Sequence, residues 1–237
     1  MAERRETQAS RYLVNRIRSI YRDVTPIAKN ARLWKQLRAR ALDELAGRKP
    51  REVVELAIAL WQKGQHNLLW VAVDLLHYQP GALKAMRAKD LELMAETMDE
   101  WWIVDAFAAI AGPMWREGLL SDARIKTWTH SKNRWKRRAA LVCTVYLNAR
   151  SRGGRGDKKR TLAICEHLKD DGDEMVIKGL SWALRTLIAV DRRAVEKFLA
   201  VNDGVLASRV KREVGNKLAT GLKQPAPADP STPDKKD

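Results

Sequence analysis

The stretch DEWWIVDAFAAI places two adjacent tryptophans, Trp101 and Trp102, just ahead of an aspartate, Asp105, in a row otherwise made of alanine, valine, phenylalanine and isoleucine. A carboxylate in an apolar row is costly unless it is paired or put to use. Trp101 lies four positions before Asp105 and Trp102 three, so either indole can share a helical face with the acid. Further on, SKNRWKRRAAL crowds Lys132, Arg134, Lys136, Arg137 and Arg138 into two turns. GLSWALR carries Trp182, with Lys178 one turn before it and Arg185 one turn after, and RVKREVGNKL adds Arg209, Lys211, Arg212 and Lys217. Each has a plainer alternative: tryptophans that anchor a core, an acid that only caps or pairs, and a charge run that is a solvated face. For Trp102, which recurs as Trp135, the core reading is preferred; for Trp101 both stay open.

The elements that must position these residues are helices. Apolar residues recur at helical spacing almost throughout, as in EVVELAIALW, and strand-like alternation is hard to find, so the fold class is all-α. Breaks fall at Gly64, Pro80-Gly81, Gly112-Pro113 and SRGGRGDKKR (151–160), leaving room for about a dozen helices of ordinary length. Aligning QHNLLWVAVDLL, DEWWIVDAFAAI, NRWKRRAALVCTV and EMVIKGLSWALRTL brings Ala72, Asp105, Arg138 and Gly179 into one slot, at spacings of 33, 33 and 41 residues. Helix pairs repeating at such a period form an α-solenoid whose equivalent helices line one concave, here basic, groove. Asp105 and Arg138 are therefore expected to point the same way, one repeat apart. A guanidinium in that inward slot, followed by Ala139, Ala140 and Leu141, suits the two-pronged grip of a phosphate. The same register gives Trp182 the slot of Leu75, Ala108 and Leu141, which predicts core. The cations from Arg150 to Arg160 either reach a duplex backbone or form a linker. The chain divides into one repeat domain over 1–221 and a disordered tail over 222–237, KQPAPADPSTPDKKD carrying the proline and charge of such tails.

Lys and Arg total 45 against 29 acidic residues, a formal net charge of +16, and the sequence pI is near 10.1. A polyanion, nucleic acid first, is the expected partner. No segment approaches the ~20 apolar residues of a spanning helix and the start carries no signal-type apolar region, so the reading is cytoplasmic, with no membrane. Cys143 and Cys165 stand apart without ligand spacing, which predicts two reduced, buried thiols and no metal site. His66, His77, His130 and His167 are likewise scattered. The chain shows neither a glycine-rich phosphate loop nor a serine elbow, so kinase and hydrolase readings lack residues.

The ordered set Trp101-x-x-x-Asp105, Trp135-x-x-Arg138-Ala139-Ala140 and Lys178-x-x-x-Trp182-x-Leu184-Arg185, followed by Val210-Lys211-Arg212-Glu213, resembles the bacterial DNA alkylation repair enzymes of the AlkD type, over about Arg51 to Lys223. The resemblance implies HEAT-like repeats and a DNA glycosylase that excises N3- and N7-alkylated purines from duplex DNA. By position it implies Trp101 and Trp182 as the aromatic pair around the damaged nucleotide's sugar and Asp105 as the catalytic carboxylate. Arg138 would be the phosphate clamp, with Arg137, Lys178, Arg185, Lys211 and Arg212 as further DNA-binding cations. It also implies a monofunctional enzyme acting as a monomer, without metal or other cofactor. The sequence departs from the pattern at Trp102, where an acidic or polar residue is common, and in YRDVTPIAKNAR (21–32), which keeps Thr25-Pro26 but lacks the usual glycine.

An alkylated purine of this kind already carries positive charge and leaves readily, so the barrier lies in a sugar that becomes oxocarbenium-like. A carboxylate near C1′ stabilises that cation, and indole faces add cation–π attraction. The expected site is a shallow groove without a tight base pocket. The rival readings are a non-catalytic nucleic-acid-binding module, which fits the net charge, and a protein–protein scaffold, a common use of α-solenoids.

Overall fold

The computed structural model describes residues 8–22 and 31–224. Thr25-Pro26 and residues 225–237 of the expected tail lie outside them. The described residues form thirteen α-helices and no strand: α1 Gln8–Ile20, α2 Ala31–Asp43, α3 Pro50–Trp61, α4 His66–Tyr78, α5 Ala82–Ala85, α6 Ala88–Ala95, α7 Trp101–Arg116, α8 Asp122–Thr129, α9 Arg134–Asn148, α10 Lys158–His167, α11 Glu174–Leu187, α12 Arg192–Val201 and α13 Ser208–Thr220. No helix among them is long and apolar enough to cross a membrane.

Short polar residues start many of these helices. The side chains of Ser121, Asn133, Asp157, Asp173 and Asp191 accept from backbone N–H groups in the first turns of α8, α9, α10, α11 and α12, replacing partners that a helix start lacks. At the other end, Gly221 closes α13 with φ +75°, the left-handed conformation that glycine adopts without strain.

The helices stack as an α-solenoid. α2, α4, α7, α9, α11 and α13 pack in succession as one row, backed by α1, α3, α6, α8, α10 and α12. The core runs unbroken along the stack: Trp61, Leu75, Phe107, Ile110, Leu141, Leu184 and Val210 are fully buried. Polar ties cross from repeat to repeat at the period read from the sequence. Arg138 reaches Asp105 across 33 residues, His77 reaches the carbonyl of Ala109 across 32, and Ser181 reaches Glu213 across 32. The slot alignment also holds, since a Cβ on Gly179 would lie 3.6 Å from Cγ of Arg138.

The expected break at Gly112-Pro113 is not there, because α7 runs through it to Arg116. Proline lacks the N–H that would bond the carbonyl four residues back, at Ala109. Nε2 of His77, on the preceding repeat, donates to that carbonyl at 2.7 Å. Gly112 is needed for proximity: a Cβ there would come within 2.6 Å of Cβ of Tyr146 and 3.1 Å of the Cys143 carbonyl. The helix continues because its neighbours supply the missing donor and occupy the missing side chain's space.

Candidate functional site

Four stretches of chain converge on an open cleft of about 450 Å³, lined by Trp101, Asp105, Arg138, Met175, Lys178, Trp182, Arg185 and Lys223. α7 contributes Trp101 and Asp105 one turn apart, α9 contributes Arg138, α11 contributes the stripe Lys178, Trp182 and Arg185, and the segment after α13 delivers Lys223. Four cations and two indoles thus surround one carboxylate.

Asp105 answers to Arg138. Nη2 of Arg138 donates to Oδ1 of Asp105 at 2.9 Å, and Nη1 donates to the carbonyl of Met175, also at 2.9 Å. Only 5% of Arg138 is exposed, and its Nε is buried without a partner. One N–H of each terminal nitrogen is thus taken up in fixing the acid, so the guanidinium meets the cleft already bonded to Asp105 and Met175. Burial pushes the Asp105 carboxyl above the ordinary carboxylate range, and the opposing pull of Arg138 and Arg152 is too weak to cancel it. Among the described residues nothing donates to Oδ2, so one oxygen of Asp105 remains available to the cleft.

The two tryptophans of α7 part company. Trp101 is 49% exposed and lines the cleft, whereas Trp102 packs against the core with its ring 4.6 Å from that of His66. The core placement expected for Trp182 from the repeat register does not occur. Leu180, Ala183, Leu184 and Leu187 fill the buried stripe of α11, which leaves Trp182 half-buried on the opposite side with Lys178 and Arg185.

A second carboxylate, Glu213 of α13, organises the far wall. It is 2% exposed and accepts from Ser181 Oγ at 2.6 Å. It also stands 3.9 Å from Arg185, 3.1 Å from Arg209 and 3.5 Å from Lys223. Burial alone would raise its carboxyl, but the Ser181 hydroxyl and the cations Lys223 and Arg185 outweigh that and hold it below the ordinary value. Burial in turn lowers Arg185.

The other expected DNA-binding cations are not in the cleft. Arg137 donates to Asp171 at 2.6 Å and to the carbonyls of Ser131 and Lys132. Lys211 is paired with Asp203 at 3.2 Å, and Arg212 is exposed. Lys178 is in the cleft and pairs with Glu174 at 2.9 Å. Sequence reasoning missed Lys223, which sits in a stretch of tail-like composition, and the organising role of Glu213, whose signal was its place in Val210-Lys211-Arg212-Glu213. Both cysteines are free and buried, and burial pushes their thiols up. No cluster of three or more potential metal ligands occurs among the described residues.

A family model described as DNA alkylation repair enzyme matches residues 29–218, a span that includes all the cleft-lining residues except Lys223. Comparison with curated proteins and with solved structures returned no match. On the family match, this chain belongs to the DNA alkylation repair enzyme family.

Proposed function

We propose that the protein is a DNA glycosylase that releases cationic N3- and N7-alkylated purines from duplex DNA. Membership in the repair family makes alkylated DNA its field of action. The observation that carries the finer reading is Asp105, a carboxylate fixed through one oxygen, open at the other, and lining one cleft with the indoles of Trp101 and Trp182.

In this reading the lesion enters without a deep base pocket, because the work is done on the sugar. As the glycosidic bond breaks, positive charge grows at C1′ and the electrons leave with an already cationic base. Oδ2 of Asp105 stabilises that charge and orients the attacking water. The indoles of Trp101 and Trp182 add cation–π attraction of about 0.5–2 kcal/mol each. Arg138 keeps the acid in place, and Lys178, Arg185 and Lys223 hold phosphates without reading sequence. Selectivity then follows the instability of the lesion, so neutral lesions such as uracil are poor substrates. The reaction needs no metal or other cofactor, and a monomer suffices because one chain supplies every named group.

Release of 7-methylguanine from a duplex oligonucleotide, with binding to undamaged duplex measured in parallel, tests the reading. Wild type is expected to release base, and Asp105→Asn and Trp182→Ala to bind DNA with release reduced at least 100-fold and about 10-fold. Binding without release by wild type itself would instead make the protein a non-catalytic DNA binder.

A further inference from the structure

We propose that Arg152 is a phosphate-gripping residue of the DNA site, docked on aromatic rings in the free protein and drawn off them when DNA arrives. The proposal rests on the glycosylase reading for its place in the reaction, but its binding part stands separately.

Arg138, Lys178, Arg185 and Lys223 each face a carboxylate. Arg152 makes no ion pair among the described residues, although its charge is near enough to Asp105 to pull on that carboxyl. Its guanidinium carbon lies 4.9 Å from the ring centre of Tyr146 and 5.5 Å from that of Trp182, and Nη1 donates to the Tyr146 hydroxyl at 2.5 Å. The residue as a whole is exposed. A guanidinium resting on rings is held more weakly than one forked on a phosphate, where two charge-assisted hydrogen bonds form together.

The backbone beneath it is built to stay put. Arg150–Arg152 form a 3-10 turn closed by Gly153 at φ +77°. A Cβ on Gly154 would lie 2.7 Å from the backbone of Asn148 and Ala149. Nη1 of Arg116 donates to the carbonyls of both Tyr146 and Arg152, at 3.2 and 3.1 Å. This stretch of the basic loop is therefore knitted onto α9, and the Arg152 side chain is an arm on a fixed root. While the arm rests on Trp182, it sets a like charge against the indole that the proposed reaction needs for a sugar turning positive. A flanking phosphate removes that conflict by taking the arm.

The experiment compares wild type, Arg152→Ala and Arg152→Lys for binding of undamaged duplex across a salt series, and for 7-methylguanine release. Arg152→Ala is expected to weaken binding about tenfold and to make the slope of log K against log salt shallower by about 0.9, the share of one phosphate contact. Arg152→Lys, which keeps the charge, restores the slope, a response that loss of packing alone does not give. The fall in release lies in KM more than in kcat. Unchanged affinity and slope in Arg152→Ala overturn the proposal, as does a loss confined to kcat. If wild type releases no base while Arg152→Ala still loses slope, the phosphate contact stands and the glycosylase reading falls.

Discussion

Removing the partner of Asp105 should change when the acid works more than whether it can. An opposite charge within hydrogen-bond distance favours the carboxylate form, commonly by 1–3 pH units. Arg138→Met therefore raises the Asp105 carboxyl further above its already raised position, leaving less of it ionised at any given pH. Release of 7-methylguanine should then lose its acid limb about one pH unit higher than in wild type, measured as a single-turnover pH profile. Glu213 behaves oppositely. Its folded-state value lies below the ordinary one, so it contributes stability above the unfolded glutamate value that is lost as pH falls through the folded value. Glu213→Gln should melt lower near neutrality and converge on wild type in acid. Residue types were legible where chemistry broke a pattern, as Asp105 did in its apolar row. Neighbours in sequence were separable only in part: recurrence as Trp135 pointed Trp102 to the core, but Trp101 stayed open, and packing is what sends it to the cleft while Trp102 meets His66.

Helix α7 depends on two contacts with other repeats. Gly112→Ala pushes a methyl into Tyr146 and must part α7 from α9, the two helices that join Asp105 to Arg138. The expected cost is about 1–3 kcal/mol, read by denaturant unfolding, together with a loss of repair activity larger than the fraction unfolded explains. His77→Ala strands the carbonyl that Pro113 leaves free and should cost about 1 kcal/mol by the same measurement. The sequence marks Gly112-Pro113 as a stop by sound local rules. It cannot show that a histidine some 30 residues earlier supplies the donor, because that contact exists only once the repeats stack. The basic loop likewise left open a linker or a DNA-facing element, and the bonds from Arg116 to its backbone were not readable from composition.

Over the whole molecule, an excess of cations gives an expected affinity for undamaged duplex that falls about a thousandfold or more between 50 and 200 mM salt, if some six phosphates are held. A titration at several salt concentrations checks it. The all-helical stack and its period were legible, because each repeat writes the same apolar stripe and the ties from Arg138 to Asp105 and from Ser181 to Glu213 keep that spacing. The cleft's far wall was not, since Lys223 reaches it only through the turn after α13. A stacked array is held by nearest-neighbour couplings, and its end units can fray while the middle stays formed. The cleft draws on α7, α9, α11 and the chain beyond α13, so it works as a coincidence detector for intact coupling along that half of the stack. On warming, catalysis should fall silent while circular dichroism still reports nearly full helix.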